Sequence, residues 1–197
     1  MRPRWVPEGP GCLNGQWPDK LGSWRDTEAA VTGYLAEFEP AMRLALQWAA
    51  GDADADADVP VGAVVLDSGG TVLGGGRNRR EADADPTAHA EIVALRTAAR
   101  SLGRWRLAEC TLVVTLEPCT MCAGAILAAR ISRLVYGAVD ARAGAAGSVW
   151  DVLHDRRLGQ PVEVLGGVLA ADCAALLQDF FGQRRSDAPH ADPPPLG

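Results

Sequence analysis

Two short motifs, His89-Ala90-Glu91 and Pro118-Cys119-Thr120-Met121-Cys122, contain residues able to hold a metal ion and to move a proton beside it. Cys119 and Cys122 stand at i and i+3, so a helix beginning there directs both sulfurs the same way. Its unpaired N–H groups and positive end favour thiolates over thiols. Pro118 suits that start, because a proline beside the first helical position loses no needed hydrogen bond. One imidazole and two thiolates supply three ligands of a tetrahedral zinc and leave the fourth position to water, which is the arrangement of a catalytic centre. Zinc brings the pKa of such a water toward neutrality, and Glu91 could take its proton. The spacing leaves this last step open, since residues two apart on an ideal helix lie about 200° around its axis and do not face each other.

A closed structural zinc is the competing reading. It needs a fourth protein ligand, from Cys110, Cys173, His154 or His190, and gives Glu91 no task. Cys173 reads better as core, on the apolar face of its helix, and Cys12 and Cys110 acquire no role. An isolated loop histidine such as His154 reads as a solvated side chain, and His190 as inert. Gly74-Gly75-Gly76 is not followed by the Gly-Lys-Ser/Thr of a phosphate loop, so it reads as a tight strand end.

The elements that position these motifs alternate. A short helix over about 40–50 precedes two β-rich runs, 59–66 and 71–75. Between them Asp67-Ser68-Gly69-Gly70 supplies the turn of a hairpin. Ile92, Leu95, Ala99 and Leu102 recur at helical spacing within 88–102, 111–116 is a continuous apolar run, and 119–130 is helical again. Strands over 134–137 and 162–165 complete five. A last helix over 169–185 places Leu169, Cys173, Leu176, Leu177 and Phe180 on one face. Strands alternating with helices imply an α/β sandwich.

With 197 residues, 48% of them hydrophobic, the chain can bury one good core. Residues 1–38, with four prolines and no sustained period, and the tail 186–197, with Pro189, Pro193, Pro194 and Pro195, are expected to be disordered ends of a domain over 39–185. No segment reads as a membrane span or signal peptide, and an odd count of five cysteines suits reduced thiols, so a cytoplasmic protein is expected. The formal net charge of −6 argues at first against a nucleic-acid partner. Its distribution weakens that objection. Residues 59–185 hold 14 Arg against 13 Asp or Glu, and the acidic excess lies mostly in residues 1–58, including Asp52, Asp54, Asp56 and Asp58. Of the 19 basic residues 18 are Arg, the side chain that pairs bidentately with phosphate.

The pair H-A-E and P-C-x-x-C resembles the signature of the zinc-dependent nucleobase deaminases of the cytidine and deoxycytidylate deaminase superfamily. Five further stretches resemble the bacterial tRNA adenosine deaminases within it: 60–64 (PVGAV), 85–91 (DPTAHAE), 115–119 (TLEPC), 137–140 (GAVD) and 144–148 (GAAGS). The similarity runs from about Glu39 to Arg185. The resemblance implies a three-layer α/β/α fold with a five-stranded mixed sheet, a homodimer, and one Zn2+ per subunit on His89, Cys119 and Cys122. It also implies Glu91 as the proton shuttle while zinc-bound hydroxide attacks C6 of the wobble adenosine in a tRNA anticodon, by resemblance that of the arginine tRNA with an ACG anticodon. Asn78 then matches an asparagine that hydrogen-bonds the purine, and Asp140 an acidic residue near the ribose. Phe181, Arg184 and Arg185 lie where the last helix meets the anticodon loop. Arg77, Arg79 and Arg80, otherwise a solvated basic turn, gain an RNA role from standing beside Asn78. The alternatives are a free guanine, cytosine or nucleotide deaminase of the same superfamily, and a catalytically dead RNA-binding subunit, which the presence of Glu91 disfavours.

Overall fold

A computed structural model describes residues 33–51, 58–155, 157–159 and 162–187, the last three of these by their backbone alone. Helix α1 (Glu39–Ala50) has Pro40 in its first turn, where the missing N–H costs nothing, and buries Met42, Ala45 and Ala49 along one stripe. Strands β1 (Gly62–Leu66) and β2 (Val72–Arg77) form the expected hairpin. Asp67 Oδ1 accepts the N–H groups of Gly69 and Thr71, each at 2.8 Å, and Gly70 supplies the positive φ of +82° that the turn requires. Helix α2 (Ala90–Leu102), strand β3 (Thr111–Leu116), helix α3 (Thr120–Ala129), strand β4 (Arg133–Ala138), strand β5 (Glu163–Gly166) and helix α4 (Ala170–Asp187) follow.

The five strands make one mixed sheet in the order β2-β1-β3-β4-β5. The β1 pairs are antiparallel, and β3/β4 and β4/β5 are parallel. Both faces are covered. Ala63, Val65, Leu112 and Val114 point to one layer, with Ala94, Leu95 and Ala98 of α2 and Ile126 of α3. Their alternates Val64, Leu66 and Val113 point to the other, with Met42 and Ala45 of α1 and Cys173 of α4. The central strands therefore read as continuous apolar runs, as strands buried on both sides do. This is the three-layer arrangement the sequence implied.

Some boundaries differ from the expectation. Gly74–Gly76 do not end β2 but lie inside it: a Cβ on Gly74 would meet the Ala98 backbone N at 2.6 Å, and one on Gly76 would meet Val93 Cβ at 2.7 Å. Their bare backbone lets α2 approach the sheet. Leu169 adopts a left-handed φ of +49°, so α4 begins after it and continues to Asp187. The described residues from Leu35 onward form one compact unit, and Phe38, which the sequence assigned to a disordered end, is buried in the second core layer. Residues 1–32 and 188–197 lie outside the described ones. No described helix is long and apolar enough to cross a membrane.

β3 and β4 both leave the sheet at the same end, where β2 also finishes. Loops at the carboxyl ends of parallel strands are where α/β sheets build sites, and both metal-ligand motifs open there.

Candidate active site

His89 is not inside α2. It caps the helix in an extended conformation (φ −70°, ψ 152°), and Glu91 stands in the first turn. The 200° separation of an ideal helix does not apply across that cap, so histidine and glutamate can meet on one cavity. Cys119 caps α3 in the same way (φ −74°, ψ 174°), with Cys122 in the first turn beside the free N–H groups of the helix start.

His89 Nδ1 lies 3.8 Å from Cys119 Sγ and 3.5 Å from Cys122 Sγ, and the three ligand atoms all lie within 4.8 Å of one another. Metal–nitrogen bonds of about 2.0 Å and metal–sulfur bonds of about 2.3 Å at tetrahedral angles place N and S about 3.5 Å apart, so the trio fits a zinc ion. Among the described residues no other group of His, Cys, Asp and Glu is so placed. Cys110 and Cys173 are buried in the core, and exposed His154 pairs with Asp151 at 2.7 Å. Cys12 and His190 lie outside the described residues. The fourth ligand of a structural zinc is therefore missing among the described residues.

The two thiols of the trio are driven in opposite directions. A hydrogen bond from Cys122, aided by His89, lowers the Cys119 thiol to about 3. The Cys122 thiol is pushed up by the same hydrogen bond and by burial, and His89 is raised by its bond with Cys119. Glu91 is 4% exposed, and burial pushes its carboxyl above the usual range. A carboxyl raised by burial holds a proton more readily than a solvated one, as a group that accepts and returns protons must.

His89, Glu91 and Cys119 share a small cavity of ≈ 80 Å³ with Asn78, Arg80 and Asp140. Asn78 follows β2 and is held by its N–H to the Val61 carbonyl at 2.9 Å and by Nδ2 to the Val59 carbonyl at 3.2 Å. Its buried Oδ1 has no partner. Arg79 is engaged by Asp83 at 2.6 and 2.9 Å, whereas Arg80 is exposed at the cavity. Asp140 is half-buried after β4, and its Oδ1 accepts the N–H groups of Arg142 and Ala143.

Leu116 and Asp140 also line a broader groove of ≈ 830 Å³ with Val139, Leu177, Phe181 and Arg184. Phe181 is 48% exposed and meets Phe180 edge-on at 5.2 Å; Arg184 Cζ lies 4.5 Å over the Phe180 ring. Arg185 continues the backbone of α4, and its side chain lies outside the described ones. Leu116 and Val139, which wall the groove, went unnoticed in the sequence because apolar residues at strand ends carry no chemical signal.

The sequence profile of the cytidine and deoxycytidylate deaminase zinc-binding region matches residues 36–138. A tRNA-specific adenosine deaminase of Haemophilus influenzae is 48% identical over 153 residues, which cover 77% of this chain and 88% of that protein. A tRNA(Ile)-lysidine synthase of Deinococcus deserti is 50% identical over 163 residues, covering 82% of this chain but only 30% of that protein. Among solved structures, a tRNA:A34 deaminase superposes with a TM-score of 0.66 at 42% identity, over 70% of this chain and 98% of the other. A guanine deaminase of Nitrosomonas europaea superposes with a TM-score of 0.63 at 26% identity, over 73% and 84%.

Proposed function

The chain belongs to the cytidine and deoxycytidylate deaminase zinc-binding family, and we infer from this that it hydrolyses the wobble adenosine of a tRNA anticodon to inosine. The observation that carries the reading is the His89, Cys119 and Cys122 trio beside buried Glu91, in a small cavity that shares Leu116 and Asp140 with a broad groove. An unpaired loop base can be flipped into such a cavity at modest cost while its neighbours stay in the groove. A free-base enzyme needs its pocket closed over a small molecule.

The ligand trio would hold one zinc per subunit, which when bound supplies the Lewis acidity that readies water to attack C6. Glu91 would carry two protons in turn, the first from the attacking water to the ring nitrogen and the second from the new C6 hydroxyl to the leaving amine, so that water and adenosine give inosine and ammonia. Asn78 Oδ1 accepts from an N–H or O–H of the bound nucleoside. Asp140 faces the ribose, where the 2′-hydroxyl distinguishes RNA. Phe181 offers a stacking face, and Arg184 and Arg185 take phosphates. The reading includes a deaminase domain over 39–185 and a homodimer, supported by the exposed, small-sided face of α3 at Thr120, Gly124 and Ala128. It also places the protein in the cytoplasm, supported by thiolate ligands that need reducing conditions.

The test is inosine formation on an arginine tRNA with adenosine at the wobble position, alongside free adenosine, guanine, cytosine and deoxycytidylate. Inosine arises only in the tRNA, and Glu91→Gln lowers the rate by at least about 10²-fold with zinc retained. Ammonia release from a free base or nucleotide with the tRNA unchanged would overturn the substrate and leave the zinc chemistry standing.

A further inference from the structure

Glu117 is 1% exposed, sits two residues before Cys119, and is matched by no cation among its described partners. Burying a carboxyl group without hydrogen bonds is costly. Its partners are instead three backbone N–H groups of one loop: Oε2 accepts from Asp140 at 3.1 Å, and Oε1 accepts from Ala146 at 3.0 Å and Ser148 at 3.1 Å. The loop from Asp140 to Ser148 thus wraps around a single side chain. Gly144 lies at the centre of the wrap, where a Cβ would meet Ser148 Oγ at 2.2 Å, the Asp140 carbonyl oxygen at 2.5 Å and Glu117 Cδ at 2.5 Å. Ser148 Oγ closes the ring by donating to the Asp140 carbonyl at 3.0 Å. The same loop is joined to the metal-ligand turn, since the Ala145 N–H donates to the Pro118 carbonyl at 2.8 Å and Cys119 bridges to Gly144.

We propose that Glu117 is a positioning residue that fixes Asp140 relative to the metal-ligand turn, so that substrate alignment depends on this one buried carboxylate. The inference rests on the reading of Asp140 as a substrate contact. All three partners are donors, so an amide cannot replace the carboxylate. In Glu117→Gln the amide oxygen can keep Ala146 and Ser148, but the amide nitrogen then faces the Asp140 N–H, and that hydrogen bond is lost. The 144–148 run is in this view a clasp: its glycine and serine serve Glu117 and Asp140.

The experiment compares zinc-loaded wild type, Glu117→Gln, Asp140→Ala and the double variant on an anticodon stem-loop, with zinc content measured for each. Loss of one hydrogen bond to the positioned loop raises KM about tenfold, with kcat within about twofold and zinc still one per chain. In the Asp140→Ala background the same change has no further effect. Glu117→Asp, which keeps a carboxylate but shortens its reach to the three N–H groups, raises KM in the same direction and serves if Glu117→Gln fails to fold. Amide exchange read by NMR gives an answer independent of substrate: Glu117→Gln loses protection at Asp140 while Ala146 and Ser148 keep theirs. Unchanged KM, fully additive effects with Asp140→Ala, or equal loss of protection at all three amides would overturn the proposal. Absence of inosine in wild type, with the exchange pattern as expected, would overturn the substrate reading and spare the positioning role.

Discussion

Asn78 holds a buried carbonyl oxygen that no protein group satisfies, while its Nδ2 is tied to the Val59 carbonyl at 3.2 Å. Turning the amide over would set two oxygens against each other, so the acceptor is locked toward the cavity. A buried acceptor left unpaired costs about 1–3 kcal/mol, which a ligand N–H or O–H recovers on binding. Two substitutions separate that role from a structural one. Asn78→Ala removes the unsatisfied oxygen and leaves the Val59 carbonyl its bond from the Val61 N–H at 2.8 Å, so the melting temperature holds while KM rises about tenfold. Asn78→Asp keeps an acceptor but brings a second oxygen against the Val59 carbonyl, and lowers stability by about 1–3 kcal/mol in thermal unfolding. At this scale the sequence was most legible where chemistry demands fixed residue types: one histidine and two cysteines at helix starts. The pairing of His89 with Glu91 was illegible because it depends on the extended cap at His89, a backbone detail that periodicity does not report. The three donors of Glu117 were hidden for a similar reason, lying 23 to 31 positions away along the chain.

Among the elements, α2 delivers both His89 and Glu91, and its height over the sheet is set by two glycines of β2, Gly74 and Gly76, while Gly75 faces Trp48 of α1. A Cβ on Gly76 would meet Val93 Cβ at 2.7 Å and the Ala94 backbone N at 2.8 Å, and neither can yield without moving the helix. Gly76→Ala therefore lowers stability by about 1–3 kcal/mol, the range for overpacked sites, and weakens zinc retention because the histidine shifts with its helix. Gly182→Ala in α4 is the control, since a Cβ there meets nothing within 4 Å and alanine favours a helix by about 1 kcal/mol. Thermal melts with and without chelator measure both effects, and equal behaviour of the two variants would contradict the packing role. The sequence marked the hairpin turn, where Asp67 and Gly70 carry local chemistry. It misread Gly74–Gly76 as a strand end, because a glycine run shows its backbone freedom locally while its steric purpose lies across the core.

For the whole molecule, the formal charge of −6 sets a limit on how strongly any RNA can be held by electrostatics alone. The arginines that line the cavity and groove are Arg80, Arg142 and Arg184, a small set beside the 18 in the chain. Each phosphate neutralised on a single-stranded segment contributes about −0.7 to the slope of log affinity against log salt, so these three with Arg185 give a slope of about −3. Raising salt from about 50 to 200 mM should then weaken binding of an anticodon stem-loop only about 50-fold, far less than for a protein that tracks a duplex through many phosphates. Arg80→Ala should make the slope shallower by about 0.7 without abolishing binding. The remaining, salt-insensitive part must come from the flipped base and from stacking on Phe181, and Phe181→Ala should weaken affinity equally at both salt concentrations. Fluorescence anisotropy across a salt series measures all three quantities. A slope of −6 or steeper would require a second basic surface, reached by the stem of the tRNA outside this groove, and would move the recognition problem from the loop to the body of the RNA.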